Sequence, residues 1–155
     1  MLHVALIEPE IPPNTGNIAR LCAATGCVLH LVGRLGFRIT DRTLKRAGLD
    51  YWPHVQLLRH RDAEQFWDEV ADQNFYLFST RGRKAYTHAQ FRDQDYLIFG
   101  NETAGLPVEI LKRYSDRSLY IPMEGPVRSL NLSTAVGVTV FEALRQIQGE
   151  TWSDR

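Results

Sequence analysis

Short apolar runs recur along the chain and are separated by polar turns that contain glycine or proline. These runs predict strands at Val4–Ile7, Val28–Val32, Phe75–Phe78, Tyr96–Phe99 and Leu119–Ile121. Segments with apolar residues at helical spacing alternate with them and predict helices over 17–25, 62–72, 107–114 and 131–148. Strands that alternate with helices are typical of an α/β protein with a parallel sheet and helices on both faces.

Two loop regions complete this outline. Residues 9–16 are rich in proline and are interpreted as a loop, so that Asn14 or Asn17 would cap the helix that follows. After a second loop, Asp41 can cap a short basic helix that ends before Gly48. No repeat, low-complexity tract or interdomain linker interrupts the pattern, so one domain over residues 1–155 is predicted.

The last long segment, 131–148, fits two patterns. Val136, Val138 and Val140 alternate as in a strand, but an apolar stripe at helical spacing also runs through the segment. Length favours a helix, because strands average about five or six residues. Val138 and Phe141 fall on a second side of that helix. A helix that is apolar on two sides needs two partners, such as the sheet and another subunit.

Composition describes an ordinary globular domain. The chain has 155 residues, of which 44% are hydrophobic and 23% are charged. A domain of this size buries enough surface to fold without a disulfide or a metal. The apolar runs are too short to cross a bilayer, and residues 1–20 lack the basic start and apolar core of a signal peptide. We therefore expect a cytoplasmic protein with no membrane partner.

The cysteines and histidines are not spaced along the sequence as the ligands of a metal site are. Cys22 and Cys27 have no second pair beside them, so small buried thiols are expected and no metal site is predicted. The five histidines are scattered along the chain and are interpreted as structural or surface residues: His3, His30, His54, His60 and His88.

The net charge is zero, but the basic residues lie in blocks. The segment from Arg34 to Arg61 contains seven positively charged residues and only two acidic ones. Four more positively charged residues lie between Arg81 and Arg92, a segment with no acidic residue. Neutrality with local basic blocks fits a protein that binds one folded polyanion on one face. Solvated basic helix faces would give the same pattern, and charge does not separate the two interpretations.

Three polar clusters follow predicted strands, where open α/β sheets bind ligands. The first is the stretch from Leu97 to Pro107, in which Glu102 lies in a turn bounded by Gly100 and Gly105. The second runs from Pro12 to Arg20, and the third from Ile121 to Ser133. Each is also compatible with a structural role: an ordinary strand-to-helix loop, a capped surface helix with a salt-bridged arginine, and a redundant helix cap. The chain has neither a dinucleotide-binding G-x-G-x-x-G after the first strand nor a P-loop.

Together the three clusters resemble the motifs of the SpoU branch of the SPOUT RNA methyltransferases. The matching stretches are Asn14-Thr15-Gly16-Asn17-x-x-Arg20, Phe99-Gly100-x-Glu102-x-x-Gly105-Leu106-Pro107, and Ile121-Pro122-Met123 followed by Ser129-Leu130-Asn131-Leu132-Ser133. The resemblance covers about residues 2–148. Two further stretches, 8–14 and 46–51, resemble the members that methylate the ribose of the wobble cytidine or uridine of tRNA.

The resemblance implies a fold and a cofactor that the strand pattern does not. It implies an α/β knot, the SPOUT fold, with a C-terminal trefoil knot over roughly residues 75–148. It also implies a homodimer and S-adenosyl-L-methionine as the cofactor. The implied cofactor contacts are Phe78, Gly100, Ile121, Ser129 and Leu130.

The implied reaction is transfer of a methyl group to a ribose 2'-hydroxyl. The family assigns proton removal to the position of Arg20, acting at the other subunit's cofactor. A guanidinium is effectively always protonated and has no acceptor, so we interpret Arg20 as stabilising the developing alkoxide, or as losing its proton only transiently in the complex. Asn14, Glu102, Ser129 and Asn131 would orient Arg20 or the ribose. Close relatives are expected to have tyrosine where this chain has Phe141.

The basic blocks would then hold tRNA, with the two subunits together supplying the surface. The residues assigned to this role are Arg34, Arg38, Arg42, Lys45, Arg46, Arg81, Arg83 and Lys84. Two alternatives remain open at this point. The enzyme could act on another tRNA or ribosomal RNA site, or the chain could be a non-catalytic RNA-binding or ribosome-assembly factor.

Overall fold

Seven parallel strands form one sheet in the computed structural model, which describes residues 1–39 and 51–152. The strands are β1 (His3–Ile7), β2 (Val28–Val32), β3 (Gln56–His60), β4 (Phe75–Phe78), β5 (Lys84–Ala85), β6 (Tyr96–Phe99) and β7 (Ser118–Tyr120). Their spatial order is β3-β2-β1-β6-β4-β7-β5, and every neighbouring pair is parallel. The predicted α/β class with a parallel sheet is confirmed.

The described ranges contain four α-helices, three of them between strands and the fourth after β7. They are α1 (Pro12–Thr25), α2 (Ala63–Val70), α3 (Val108–Arg113) and α4 (Leu132–Gln148). Residues 131–148 are therefore helical, as their length predicted, with Asn131 as the N-cap. None of the helices in the described ranges is long and apolar enough to cross a membrane.

Helices pack on both faces of the sheet, as predicted. Along β1 the side chains alternate between the faces, because successive residues of a strand point to opposite sides. Val4 and Leu6 join the core under α1 and α4, whereas Ala5 and Ile7 join the core under α2 and α3. The central strands are buried on both faces and therefore appear in the sequence as continuous apolar runs.

The start of α1 differs from the prediction. The helix begins at Pro12, within the stretch interpreted as a loop, and its N-cap is Ile11. Neither Asn14 nor Asn17 caps it, since both lie inside the helix. Proline is tolerated in the first helical turn because the N–H that it lacks would have no intrahelical partner there. The other end is as predicted, with Gly26 in the left-handed conformation.

Two strands were not predicted, and one element lies outside the described residues. β3 has only two apolar residues and its side chains are exposed or half-buried, so it lacks the continuous apolar run of the central strands. β5 has two residues, too few to show a period. The helix predicted to start at Asp41 falls within 40–50, outside the described ranges.

Three of the histidines, predicted to be scattered, form one hydrogen-bonded chain across β1, β2 and β3. His3 Nδ1 lies 2.9 Å from His30 Nε2, and His30 Nδ1 lies 2.8 Å from His60 Nε2. Burial, followed by the neighbouring rings, lowers the pKa of His30 to about 3. Burial also lowers the pKa of His3 and of His60. The buried ring is therefore neutral at physiological pH and acts as a structural link between strands.

The two cysteines are buried free thiols, as expected. Burial is the main cause that raises the pKa of both Cys22 and Cys27. Both side chains therefore remain protonated and serve as small core residues.

Candidate active site at the carboxyl edge of the sheet

A cavity of about 700 Å³ lies at the carboxyl edge of the sheet, where the chain leaves β4, β6 and β7. It is lined by eight of the residues predicted for the active site or the cofactor site, namely Asn14, Phe78, Gly100, Glu102, Ile121, Ser129, Leu130 and Asn131. Parallel strands bring their carboxyl ends to one edge, which explains how residues more than a hundred positions apart meet here.

The inner wall of the cavity is apolar. The rings of Phe78 and Phe99 stack with their centroids 4.7 Å apart, at the ends of neighbouring strands β4 and β6. Leu106, Leu119 and Ile121 extend this wall. An apolar slot with a few polar groups at its mouth is typical of pockets that bind a small organic cofactor.

Gly100 allows the turn after β6 to close tightly. A Cβ at this position would lie 2.0 Å from the carbonyl carbon of Gly105 and 2.2 Å from the backbone nitrogen of Leu106. Gly105 has a φ of 69°, a left-handed conformation that favours glycine. Both glycines are therefore required by the turn itself, and they leave its backbone accessible along the cavity wall.

Glu102 connects this turn to the start of α1. Its carboxylate accepts hydrogen bonds from the backbone N–H of Glu10 at 2.9 Å and of Ile11 at 3.2 Å. The Asn14 side-chain amide also points to it, at 3.5 Å. A carboxylate at a helix N-terminus satisfies free N–H groups and complements the helix dipole. Glu102 thus fixes the position of α1 relative to the cavity.

Asn14 and Asn131 extend the connection to the third cluster. The Asn131 side-chain amide donates to Asn14 Oδ1 at 2.9 Å, while Asn131 Oδ1 accepts from the backbone N–H of Ser133 at 2.9 Å. Asn131 therefore caps α4 and contacts α1 at the same time. Through Glu102, Asn14 and Asn131, all three sequence clusters are joined by hydrogen bonds at the cavity mouth. We call these three residues the polar junction.

Ser129 and Leu130 also line the cavity, but they lie on its outer side. Both are exposed, and Leu130 is 39% exposed. They belong to the segment between β7 and α4, which contributes to the cavity lining. An exposed leucine beside an apolar pocket leaves part of the pocket wall open to a ligand or a partner.

Arg20 does not line the cavity of its own chain. It is exposed on α1, and its guanidinium carbon lies 5.9 Å from the centroid of the Tyr51 ring. The Tyr51 hydroxyl in turn donates to the backbone carbonyl of Gly16, which ties this ring to α1. One chain therefore assembles the polar junction and the pocket without Arg20.

The predicted RNA-binding residues fall on two separate loops. Arg34 and Arg38 are exposed after β2, whereas Arg81, Arg83 and Lys84 are exposed between β4 and the start of β5. In the sheet, β1 and β6 separate the two groups. Arg81 also lines the cavity. Arg42, Lys45 and Arg46 lie outside the described residues.

The sequence patterns missed several residues of the cavity. Ser79 and Thr80 follow β4, and Asn101 and Thr103 lie in the turn after β6. Their common signal is their place directly after a buried strand, the same signal that identified the three clusters. Applied to β4, it would have added Ser79 and Thr80.

The cavity suits S-adenosylmethionine in size and chemistry. Its volume lies within the usual range of about 300–1,000 Å³ for small-ligand sites. The apolar wall formed by Phe78, Phe99 and Ile121 can hold an adenine ring, and the backbone around Gly100 can approach it closely. The hydroxyls of Ser79, Thr80 and Ser129 can bind the polar parts of the molecule.

Comparison with known proteins gives a consistent result. The model of the SpoU rRNA Methylase family matches residues 1–141. A tRNA (cytidine(34)-2'-O)-methyltransferase of Escherichia coli strain K12 is 47% identical over 148 residues, which are 95% of this chain and 94% of that protein.

Solved structures agree. One described as giving structural insights into the 2-OH methylation of C/U34 on tRNA superposes with a TM-score of 0.91. It is 51% identical, over 96% of this chain and 97% of that one. An AdoMet-bound rRNA methyltransferase from Sinorhizobium meliloti superposes with a TM-score of 0.81 and 32% identity, over 93% of this chain and 56% of that one. This chain belongs to the SpoU RNA methylase family.

Proposed function

We propose that this protein transfers a methyl group from S-adenosylmethionine to the 2'-hydroxyl of the wobble nucleotide of tRNA, a cytidine or a uridine. The observation that carries the proposal is the polar junction at the mouth of a cofactor-sized cavity. The similarity to a tRNA (cytidine(34)-2'-O)-methyltransferase, nearly over the full length of both chains, supports the substrate.

The residues of the chain divide into those that hold the cofactor and those that arrange the reaction. Phe78, Gly100, Ile121, Ser129 and Leu130 line the cavity and would hold the cofactor. When bound, S-adenosylmethionine supplies an electrophilic methyl group on a positively charged sulfur. Transfer of that methyl group to the ribose oxygen would replace the hydroxyl proton, which would pass to solvent. The protein must therefore align the hydroxyl and stabilise negative charge on its oxygen.

Glu102 acts by position in this proposal. Its carboxylate is already occupied by two backbone N–H groups, so it holds the start of α1 against the cavity. Asn14 and Asn131, both at the cavity mouth, would then orient the ribose together with Ser129.

Arg20 of one subunit would stabilise the alkoxide that develops in the cavity of the partner subunit. A guanidinium cannot serve as a base near neutral pH, but it is a strong donor to an anionic oxygen. Its position outside the cavity of its own chain supports a role in the cavity of a second copy.

A homodimer would bury the apolar residues that one chain leaves exposed on α4. Phe141 is 49% exposed and Val138 is 36% exposed, and both point away from the buried stripe of the helix. Phe141 also lies beside Trp152, with ring centroids 6.2 Å apart, and Trp152 is itself 53% exposed. A contiguous aromatic patch of this kind is typical of a protein–protein interface.

The knot predicted over roughly residues 75–148 is supported by a chain crossing. β7 lies between β4 and β5, although it comes later in the chain than both. The loop that joins β4 to β5 therefore straddles β7, and Gly82 in that loop approaches it closely. A Cβ on Gly82 would lie 2.2 Å from the carbonyl carbon of Leu119. We propose that the single domain, residues 1–155, contains this knot.

A tRNA substrate and two buried free thiols support a cytoplasmic location. The basic residues Arg34, Arg38, Arg81, Arg83 and Lys84 would supply contacts to tRNA, and those of Arg38, Arg81, Arg83 and Lys84 would be to its phosphates.

The test is to incubate the purified protein with methyl-labelled S-adenosylmethionine and unmodified tRNA, and then to map the methylated ribose by nuclease digestion and mass spectrometry. The proposal predicts one 2'-O-methyl group at the wobble nucleotide. A 2'-O-methyl group at another nucleotide would keep the reaction and replace the target. Failure to bind the cofactor, measured by calorimetry, would favour a non-catalytic RNA-binding role.

A further inference from the structure

A second hollow of about 400 Å³ lies beside the cofactor-sized cavity. It is bounded by the loop after β1, the loop after β2 and the turn after β6. Asn101, Thr103 and Ala104 of that turn line both spaces, so the turn forms a shared wall. A ligand that reaches over this wall would place one part in each space.

Glu8 occupies one side of the hollow in an unusual backbone conformation. Its φ is 50°, in the left-handed region that residues other than glycine seldom adopt. Its side chain passes directly over Gly33, where a Cβ would lie 2.8 Å from Glu8 Cγ. The absence of a side chain at Gly33 therefore makes room for that of Glu8. Backbone strain of this kind is concentrated at binding and catalytic sites.

Arg34 lines the same hollow, one residue beyond Gly33. Both Glu8 and Arg34 are exposed. Within the described part of the chain, neither side chain forms an ion pair or a hydrogen bond with another residue. The hollow thus offers an acceptor and a donor that no interaction within the described protein uses.

We propose that this hollow binds the base of the target nucleotide, an inference that rests on the proposed function. Every pyrimidine presents a carbonyl oxygen that can accept from a guanidinium. Cytosine adds an amino donor, and uracil adds an N–H donor. A carboxylate can accept a hydrogen bond from either donor. Arg34 and Glu8 therefore match features that the two bases share. The ribose would then lie over the shared wall, towards Asn14 and the cavity.

A base fits this hollow better than a phosphate does. Arg34 alone would suit a phosphate, but Glu8 and Glu10 also line the space. Two carboxylates beside one guanidinium repel the negatively charged phosphodiester of an RNA backbone, whereas they can accept hydrogen bonds from the N–H groups of a base.

The test compares binding of two transcripts of one tRNA, one intact and one with an abasic ribose at the wobble position. Equilibrium dissociation constants are measured with the wild-type protein, Glu8→Asn and Arg34→Ala. Asparagine tolerates a left-handed φ, so Glu8→Asn removes the carboxylate with little change in the backbone preference. Arg92→Ala is the matched control, because Arg92 is an exposed arginine just before the amino end of β6.

The wild-type protein and Arg92→Ala are expected to bind the intact tRNA about tenfold more tightly than the abasic one, a typical effect of a specific base contact. Glu8→Asn and Arg34→Ala should reduce this difference to less than about twofold, with unchanged affinity for S-adenosylmethionine. Equal binding of both transcripts by the wild-type protein would overturn the inference. Equal weakening of both transcripts by Arg34→Ala would also overturn it, because that result indicates a phosphate contact.

The outcome is separate from that of the proposed function. If the wild-type protein methylates the wobble ribose but the two variants keep the base-dependent difference, the function stands and the base site is wrong. If it methylates no ribose at the wobble position, the function itself is wrong, whatever the variants do.

Discussion

Single side chains at the cavity mouth each perform more than one task. Asn131 uses its oxygen to cap α4 and its amide to contact Asn14, and Glu102 uses one carboxylate to hold two backbone N–H groups of the α1 start. If these residues act as proposed, a structural role and a functional role therefore coincide in the same side chains. Substitutions that separate the two roles are the informative ones.

Asn131 allows this separation. Asn131→Ala removes both the cap and the contact to Asn14, so the free energy of unfolding should fall by about 0.5–2 kcal/mol. Asn131→Asp keeps a capping oxygen but has no amide to donate. We expect its stability in urea denaturation to stay close to that of the wild-type protein while tRNA methylation falls at least tenfold. Wild-type methylation by Asn131→Asp would show that the contact to Asn14 has no part in the reaction.

The sequence allowed the residues that line the cavity to be predicted, but not the hydrogen bonds between them. Asn14, Glu102 and Asn131 were identified because they follow strands and match ordered motifs. The role of Glu102 at the start of α1 could not be predicted, because its hydrogen bonds join positions about ninety residues apart. No local pattern records a contact over that separation.

Among the elements, the buried strands were predicted most accurately. β1, β2, β4 and β6 are apolar on both sides, so each gives a continuous run bounded by turn residues. β3 was missed because an edge strand needs fewer apolar residues, and α1 was predicted too short because its first turn contains two prolines. Local propensity failed in both cases, since the tertiary environment determined the structure.

The histidine chain links the outer strands β2 and β3 to β1, and it makes this part of the sheet sensitive to acid. Burial lowers the pKa of His30, so the folded protein binds fewer protons than the unfolded chain below about pH 6.5. The free energy of unfolding therefore falls as the pH decreases through this range. Burial is the largest cause that lowers the pKa of His60, which Glu69 raises and Arg59 lowers further.

His30→Gln tests this dependence. Glutamine does not titrate, so between pH 6 and pH 4 the loss of stability should be shallower than in the wild-type protein by up to about 1.4 kcal/mol per pH unit. The measurement is urea denaturation over this pH range, with the exposed His54→Gln as a matched substitution on the surface. Parallel curves for His30→Gln and the wild-type protein would contradict the assignment.

At the scale of the whole molecule, one chain assembles a cavity but leaves Arg20 outside it and an aromatic patch exposed on α4. A symmetric dimer resolves both features if each subunit supplies Arg20 to its partner. The apolar second side of 131–148 predicted this need from the sequence. The cofactor and the proposed knot were expected only from the resemblance to a family, because the pattern of strands and helices along a sequence does not encode a chain crossing.

Mixed dimers test the exchange of Arg20. Arg20→Ala should bind S-adenosylmethionine normally but lose methylation by orders of magnitude. Asn131→Asp carries an intact Arg20 but an impaired cavity. When the two variants are co-expressed with different tags, random pairing should restore about a quarter of the wild-type methylation, because half of the dimers contain one complete site. No restoration in the purified mixed dimer would place Arg20 in the site of its own chain.

The most direct measurement compares two tRNAs that differ in one atom. One carries a ribose with a 2'-hydroxyl at the wobble nucleotide, and the other carries a 2'-deoxyribose there. With methyl-labelled S-adenosylmethionine, the proposed reaction predicts one labelled methyl group per ribose-containing tRNA and none on the deoxy form. Equal labelling of both tRNAs would contradict methylation of the wobble 2'-hydroxyl.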